Sequence, residues 1–222
     1  YCFNYLAMGN NYQDEVAKIL IDIESVKFSF KSPFILTSGH KSPVYVDCRK
    51  IISYTKERNK ILDYAEQYLI QNKLSFEILA GGETAGIPYA AFLAERLQKP
   101  MIYIRKKQKG FGKNQQIEGN FIDSQKAILI DDLATDGGSK VIFTEVLRKF
   151  NINVSDIFVI FYYNIFDISK TPLATLNVKI HYLCKWKNII DIVQKNEILS
   201  NNEIENLEFF LTEPEKWRQI HE

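Results

Sequence analysis

Residues 127–140, AILIDDLATDGGSK, are the stretch of this chain that points most directly to its fold. A run of apolar residues leads into two adjacent carboxylates, Asp131 and Asp132, and a loop of small residues follows before apolar residues resume at Val141. The pattern predicts a buried strand, a tight loop and a helix. It also predicts that both carboxylates are exposed beyond the carboxyl end of the strand, where α/β sheets bind ligands.

The loop after the carboxylates has the composition of an anion site. Glycines let the backbone bring several N–H groups to one point, and the N-terminus of the following helix adds partial positive charge. The predicted phosphate site comprises Thr135, Asp136, Gly137, Gly138 and Ser139. The carboxylates suit the vicinal hydroxyls of a ribose, so the stretch predicts a site for a ribose 5-phosphate. The alternative is an ordinary helix N-cap beside acidic residues.

On both sides of this stretch, apolar strands alternate with amphipathic helices. Helical spacing predicts helices over residues 12–24, 55–72 and 139–150, then short helices from residue 189, the last beginning at Pro214. Short strands with turns are predicted over 28–47, and longer strands near 76–80, 101–104, 127–130, 156–164 and 178–183. A glycine-rich loop that includes Gly81 and Gly82 is expected after the strand near 76–80. The alternation predicts an α/β fold with a mostly parallel central sheet flanked by helices.

The composition is that of an ordinary globular protein, with 46% hydrophobic and 25% charged residues. A net charge of +1 gives no bulk attraction to nucleic acid or to an acidic membrane. The longest apolar stretch, residues 157–166, is too short to cross a bilayer, and residues 1–10 lack the basic and apolar segments of a signal peptide. Three cysteines without CxxC spacing predict buried thiols at Cys48 and Cys184. We therefore expect a cytoplasmic protein without nucleic-acid or membrane partners.

With its apolar strand, acidic pair and Thr/Gly-rich loop, the chain resembles the type I phosphoribosyltransferases. Two further stretches narrow the resemblance to the orotate phosphoribosyltransferases. FILTSGHKSPVYVD (34–47) is similar to that family's N-terminal substrate segment, and MIYIRKKQKGFGKNQQIEG (101–119) is similar to its mobile catalytic loop. AGGETAGIP (80–88) lies where the family has its pyrophosphate-side loop. The resemblance runs in order over roughly residues 12–185.

The resemblance implies a single phosphoribosyltransferase domain over residues 1–222. A small N-terminal hood, formed by about residues 1–50 and the C-terminal segment, would cover a core of about residues 51–185. The implied reaction transfers the 5-phosphoribosyl group from phosphoribosyl pyrophosphate to orotate, giving orotidine 5′-monophosphate and pyrophosphate in pyrimidine biosynthesis. Mg²⁺ would enter with the pyrophosphate, with few or no direct protein ligands. The family arrangement also implies a homodimer in which the loop 105–119 serves the neighbouring site.

The resemblance also assigns residues to each part of the site. Phosphoribosyl pyrophosphate would contact Asp131, Asp132, residues 135–139, Gly81, Gly82, Arg105, Lys106 and Lys109. Orotate would contact Thr37, Tyr45, Val46 and Thr135. The basic residues would stabilise charge that builds on the leaving pyrophosphate, so Arg105, Lys106, Lys109, Asp131 and Asp132 are the expected catalytic residues. The alternatives are a solvated surface loop for the basic residues, a simple turn for the two glycines, and a core strand for Tyr45 and Val46.

The sequence departs from the family pattern at several positions. Well-known members have lysine where Ala85 and Thr37 stand, and histidine where Phe111 stands. No arginine occurs in residues 161–166, near where some members contact the orotate carboxylate, so that contact has no assigned residue. Two other functions stay open. One is a regulator that binds phosphoribosyl pyrophosphate without turnover, and the other is a phosphoribosyltransferase for another base. The basic loop favours an enzyme, because a sensor has no leaving group to stabilise.

Overall fold

The computed structural model describes residues 12–36, 39–107, 116–135, 137–165 and 171–221. The helices are α1 (Tyr12–Asp22), α2 (Thr55–Gln71), α3 (Gly86–Leu97), α4 (Gly138–Lys149), α5 (Trp186–Lys195), α6 (Asn201–Thr212) and α7 (Pro214–His221). The strands are β1 (Val26–Phe28), β2 (Phe34–Ile35), β3 (Lys41–Ser42), β4 (Val44–Val46), β5 (Ile78–Gly82), β6 (Met101–Ile104), β7 (Ile117–Glu118), β8 (Lys126–Ala134), β9 (Asn153–Tyr162) and β10 (Lys179–Lys185). Short 3-10 helices span Cys48–Ser53 and Pro172–Leu176.

The central sheet has six strands in the order β10-β9-β8-β5-β6-β7. Neighbouring strands are parallel except for β7, which pairs antiparallel to β6. The predicted α/β fold with a mostly parallel sheet is therefore confirmed. The short strand β7 had no counterpart in the sequence-based prediction, because a two-residue strand carries no readable period.

Two apolar cores cover the two faces of this sheet. Along β8, Ile128 and Ile130 belong to one core, and Ala127 and Leu129 belong to the other. Helices α1, α2, α3, α5, α6 and α7 contribute to the first core, whereas α4 packs in the second. Burial on both faces explains why the strands read as continuous apolar runs rather than alternating ones. None of the helices in the described part of the chain combines the length and apolar character that a membrane span requires.

The N-terminal segment forms the predicted short strands. β1 pairs antiparallel with β4, and β2 pairs antiparallel with β3. The C-terminal helix α7 meets this segment, where Lys41 Nζ donates a hydrogen bond to the carbonyl oxygen of His221 at 2.6 Å. Cys48 and Cys184 are both buried free thiols, as predicted. The proposed division of the chain into a hood and a core stays a prediction.

Three glycines let helices lie directly on the sheet, Gly81 and Gly86 for α3 and Gly82 for α4. The prediction that β5 ends before Gly81 is wrong, because the strand continues through Gly82. A Cβ at Gly81 would lie 2.9 Å from the Cα of Ile87, and a Cβ at Gly82 would lie 2.6 Å from the ring of Phe143. A Cβ at Gly86 would collide with the backbone of β8. The glycines therefore permit close packing between strand and helix, because a larger residue at any of these positions would collide with its neighbours.

We predict that Gly86→Ala destabilises the protein although alanine is the better helix former. The added Cβ meets a backbone carbonyl oxygen of β8, which cannot move aside. We expect a loss of roughly 1–3 kcal/mol in the free energy of unfolding, as for other overpacked sites, measured by urea denaturation.

The matched control is Ala91→Gly on the exposed side of the same helix. It should cost only about 1 kcal/mol, through helix propensity alone. A gain in stability for Gly86→Ala would show that the helix and the strand are not in tight contact.

Candidate functional site

A cavity of about 580 Å³ opens at the carboxyl edge of the sheet. Its walls are Val46, Asp47, Arg49, Glu83, Thr84, Ala85, Lys106, Asp131, Asp132, Leu133, Thr135, Gly137, Ser139 and Lys140. A second cavity of about 540 Å³ lies at the opposite edge, beside the first residues of β8 and β9. Open α/β sheets bind their ligands at the carboxyl edge, so the first cavity is the candidate site.

Asp131 and Asp132 line this cavity from within β8. The strand does not end before them, as the sequence predicts, but continues to Ala134. The reason is that β9 pairs with β8 as far as Ala134, whereas β5 pairs with it only as far as Ile130. Both acidic residues are therefore buried, with 5% and 8% of their surface exposed, and the prediction of an exposed pair is wrong.

A buried lysine that the sequence-based prediction did not include accompanies the pair. The Nζ of Lys140 lies 2.6 Å from Asp131 Oδ2. It also donates to the carbonyl oxygen of Leu133 and, at 3.3 Å, to Ser139 Oγ. Only 5% of Lys140 is exposed. A charge this far from water is tolerated when it is paired and fully hydrogen-bonded, and these three contacts meet that requirement.

The helical spacing of the buried residues of α4 could have predicted that Lys140 is buried as well. Helix α4 buries Phe143, Thr144 and Leu147, which lie three, four and seven positions after the lysine and so share its face. A cation in the first turn of a helix also opposes the helix dipole. A lysine on the buried face of a helix N-terminus therefore indicates a specific anionic partner.

Asp132 differs from its neighbour in its electrostatic surroundings. In the part of the chain that the structure describes, it has no cation within ion-pair distance, and its Oδ1 accepts the Leu133 N–H at 2.8 Å. Burial and, next, the negative charge of Asp131 raise the pKa of Asp132 to about 7, while the charge of Lys140 acts in the opposite direction. One carboxylate is thus matched by a cation, and the other takes up a proton near neutral pH.

The predicted phosphate loop carries the chain from β8 into α4. The N-cap residue Gly137 has φ +83°, and a Cβ there would collide with the side chain of Leu173, so the position requires glycine. Three of the predicted residues line the cavity: Thr135, Gly137 and Ser139. Gly138 is the first residue of α4, and Asp136 lies outside the described residues. The N-terminus of α4 therefore faces the cavity, as an anion site requires.

The segment between β5 and α3 forms another wall. Glu83, Thr84 and Ala85 line the cavity, and the peptide bond between the first two is cis. The predicted pyrophosphate contacts Gly81 and Gly82 instead lie inside β5 and are buried. Their role in binding stays a prediction.

The two described basic residues that directly follow β6 differ in their position relative to the cavity. Lys106 lines the cavity, and its N–H donates to Glu83 Oε2 at 2.8 Å. Arg105 lies outside the cavity wall, with its Nε 3.1 Å from Glu118 Oε1 and a second nitrogen 3.8 Å from Glu83. The antiparallel strand β7 brings Glu118 to this position. Lys109 lies outside the described residues, so the structure does not test its expected contact.

The N-terminal segment contributes a cation that the sequence-based prediction omitted. Arg49 lines the cavity, with its Nε 2.6 Å from Asp47 Oδ1 and its side chain 59% exposed. It also donates to the hydroxyl oxygen of Tyr45 at 3.3 Å. Val46 lines the cavity, whereas Tyr45 is not among its walls, and Thr37 lies outside the described residues.

Comparison with known proteins agrees with this geometry. No protein-family model matches the chain. The chain is 42% identical over 204 residues to the orotate phosphoribosyltransferase of Rhizobium rhizogenes, which covers 91% of this chain and 88% of the relative. The solved orotate phosphoribosyltransferase of Aeropyrum pernix superposes with a TM-score of 0.69 at 29% identity, over 83% of this chain and 99% of that one. The Leishmania donovani UMP synthase gives a TM-score of 0.74 at 26% identity over 91% of this chain, which spans 42% of that protein's length.

The sheet order, the acidic pair on β8 and the helix N-terminus beside it define a protein of the type I phosphoribosyltransferase fold. The identity to the bacterial relative, over nine-tenths of the chain, narrows the assignment. The chain belongs to the orotate phosphoribosyltransferase family.

Replacement of Asp131 or Asp132 singly by asparagine should change the free energy of unfolding in opposite directions. The folded-state pKa of Asp132 is raised, so its contribution to stability is present below the unfolded pKa and is lost as pH rises through about 7. Asp132→Asn should therefore have a free energy of unfolding at least ~1 kcal/mol above that of wild type above that pH, and equal to that of wild type near pH ~4. Asp131→Asn leaves Lys140 buried without its partner and should lose roughly 3–5 kcal/mol.

Urea denaturation across that pH range measures both effects. Asp131→Asn serves as the control for the amide substitution itself, because it changes the adjacent residue in the same way. Equal losses for both variants would contradict the inequivalence of the two carboxylates.

Proposed function

We infer that the protein transfers the 5-phosphoribosyl group from phosphoribosyl pyrophosphate to orotate, forming orotidine 5′-monophosphate and pyrophosphate. The observation that supports this most is the single cavity that joins an acidic pair to the N-terminus of α4. Carboxylates accept hydrogen bonds from vicinal hydroxyls, and a helix N-terminus binds a phosphate. The cavity therefore suits both ends of a ribose 5-phosphate.

In this proposal the two ends of the sugar determine where the reaction occurs. Asp131 and Asp132 accept the ribose hydroxyls, and the loop over residues 135–139 binds the 5-phosphate. The anomeric carbon then faces the wall made by residues 83–85 and Lys106. The bond from this carbon to the pyrophosphate oxygen breaks and its electron pair stays with the pyrophosphate. A bond forms to the orotate ring nitrogen, whose proton passes to the leaving pyrophosphate or to water.

Cations near the leaving group stabilise the charge that it acquires. Lys106 is already at the cavity wall, whereas Arg105 is held by Glu118 and must exchange that partner for the pyrophosphate. Lys109 completes the proposed set. A preorganised charge at such a position is commonly worth roughly 3 kcal/mol in the transition state.

Mg²⁺ is part of the proposal as a partner of the pyrophosphate. Mg²⁺ prefers oxygen ligands and keeps much of its water, and the cavity wall offers the Glu83 carboxylate close to the proposed leaving group. When bound, the ion would neutralise part of the pyrophosphate charge. One such side chain fits a hydrated ion that enters with its substrate, with few or no direct protein ligands, better than a fixed all-protein cage.

The proposed orotate site lies between Val46 and the phosphate loop. Thr37, Tyr45 and Thr135 are the other residues that we propose for it. Arg49 adds an exposed guanidinium to the same wall, and such a group pairs well with a planar carboxylate. The structure thus offers a candidate for the contact that residues 161–166 do not supply.

We predict that the purified protein consumes orotate in a spectrophotometric assay that contains phosphoribosyl pyrophosphate and Mg²⁺. Omission of either should abolish the signal, since each supplies charge or the transferred group. Adenine and guanine in place of orotate form the control. Binding of phosphoribosyl pyrophosphate without turnover of any base would indicate a regulator instead, and turnover of another base would reassign the substrate.

We further propose a homodimer in which the loop 105–119 of one subunit completes the site of the other. Mixing an Arg105→Ala, Lys109→Ala variant with an Asp131→Asn, Asp132→Asn variant tests this. Under random mixing of equal amounts, half of the dimers are mixed and each mixed dimer has one intact site of two, so activity should recover to at most about a quarter of wild type.

Subunit exchange is verified with differently tagged chains, and each variant alone is the inactive control. Demonstrated mixed dimers without recovered activity would assign the loop to its own subunit's site.

A further inference from the structure

Lys140 makes more polar contacts than the packing of α4 against the sheet requires. An ammonium group has three N–H donors, and here each has one acceptor: Asp131 Oδ2, the Leu133 carbonyl oxygen and Ser139 Oγ. Two of these acceptors are at the end of β8, and Ser139 is in the first turn of α4. The side chain therefore joins both ends of the phosphate loop to one carboxylate.

This ion pair is part of the cavity rather than of the interior core. Lys140 and Asp131 both line the cavity, although each side chain is less than a tenth exposed. A buried ion pair adds little stability over apolar residues of similar volume. Stability alone thus gives no reason for a charge at this position, whereas a charged ligand beside it does.

The contacts around Asp131 fix its carboxylate in one orientation. Oδ2 accepts from Lys140, and Oδ1 accepts the Asp132 N–H at 3.0 Å. Oδ1 also lies 3.2 Å from the position that a Cβ of Gly86 would occupy, so a side chain there would touch it. Each carboxylate oxygen has two lone pairs, so both retain capacity to accept a hydroxyl hydrogen.

We propose that Lys140 is a positioning residue for substrate binding: its ammonium orients the Asp131 carboxylate, and balances its charge, for the ribose hydroxyls of phosphoribosyl pyrophosphate. The proposal rests on the function proposed above and adds a residue to it. Lys140 acts through Asp131 and need not touch the substrate itself. Substrate affinity, rather than the turnover rate, is the quantity that it controls.

The same contact sets the pH range in which the acidic pair can bind. The groups that face the pair are Lys140 from α4, Tyr89 from α3, and Asp47, Cys48 and Arg49 from the N-terminal segment, and Glu83 and Lys106 line the same cavity. Burial raises the pKa of Tyr89 and of the Cys48 thiol, so both stay neutral. The hydrogen bonds that Arg49 donates to Asp47 raise the pKa of Arg49, which stays charged.

Asp47 also keeps its charge near neutral pH. Although burial works against it, the hydrogen bonds and charge of Arg49 lower the pKa of Asp47. The pKa of Asp132 is raised to about 7, and the charge of Lys140 acts to lower it. Loss of the lysine charge should move the acid limit of substrate binding to higher pH.

The test is the affinity for phosphoribosyl pyrophosphate with Mg²⁺, measured by calorimetry over a range of pH. Lys140→Met should weaken binding roughly ten- to hundredfold and move the acid limit upward by about one pH unit. The KM for orotate should change by less than about threefold, because the effect lies on the ribose side. Lys149→Met, on the exposed C-terminal turn of the same helix, is the matched control and should stay within about twofold of wild type.

A double-mutant cycle keeps the proposal testable if Lys140→Met folds poorly. Asp131→Asn with Lys140→Met removes both charges, so this double variant should be more stable than either single variant. If Lys140 acts through Asp131, the double variant binds phosphoribosyl pyrophosphate about as weakly as Asp131→Asn alone. Losses that multiply would overturn the proposal.

Two outcomes separate this inference from the proposed function. If wild type binds the substrate and Lys140→Met matches it in affinity and pH profile, Lys140 is only a structural residue and the inference fails. If wild type neither binds phosphoribosyl pyrophosphate nor turns over orotate, the proposed function fails and the inference falls with it.

Discussion

The site depends on the buried ion pair between Asp131 and Lys140. Removing a carboxylate and an ammonium from water costs several kcal/mol per ion, and the attraction between the two ions offsets about this amount. The pair is tolerated because all three N–H groups of the lysine have acceptors, two on β8 and one in the first turn of α4. This contact joins the acidic pair on β8 to the N-terminus of α4.

The sheet determines where this pair can form. β8 lies between β5 and β9, with an apolar core on each face, and its carboxyl end continues beyond the end of β5. That extension places two acidic residues where the sheet opens toward the cavity but still excludes most water. Low exposure strengthens every charge interaction there, which is why the two adjacent carboxylates behave differently.

Two arginines at or near the cavity are already paired with carboxylates. Asp47 holds Arg49, and Arg105 lies near Glu83, which also accepts the backbone N–H of Lys106. An anion that binds either guanidinium must therefore compete with a protein carboxylate. Competition of this kind favours ligands of high charge, because a weak single anion gains too little to displace a pair.

The sequence by itself determined the alternation of strands and helices, the acidic pair, the glycine-rich turn and the family resemblance. The alternation and the turn follow from periodicity and turn chemistry, which act over a few residues, and the resemblance rests on several motifs that occur in order along the chain. Tertiary structure decided that Asp131 and Asp132 are buried, that Lys140 neutralises only the first, and that Arg105 meets Glu118 instead of lining the cavity. The physical reason is that burial and ion pairing depend on distances between separate elements. Those distances depend on how far β9 pairs with β8, on where β7 places Glu118, and on which face of α4 is buried. Local sequence patterns do not encode these features.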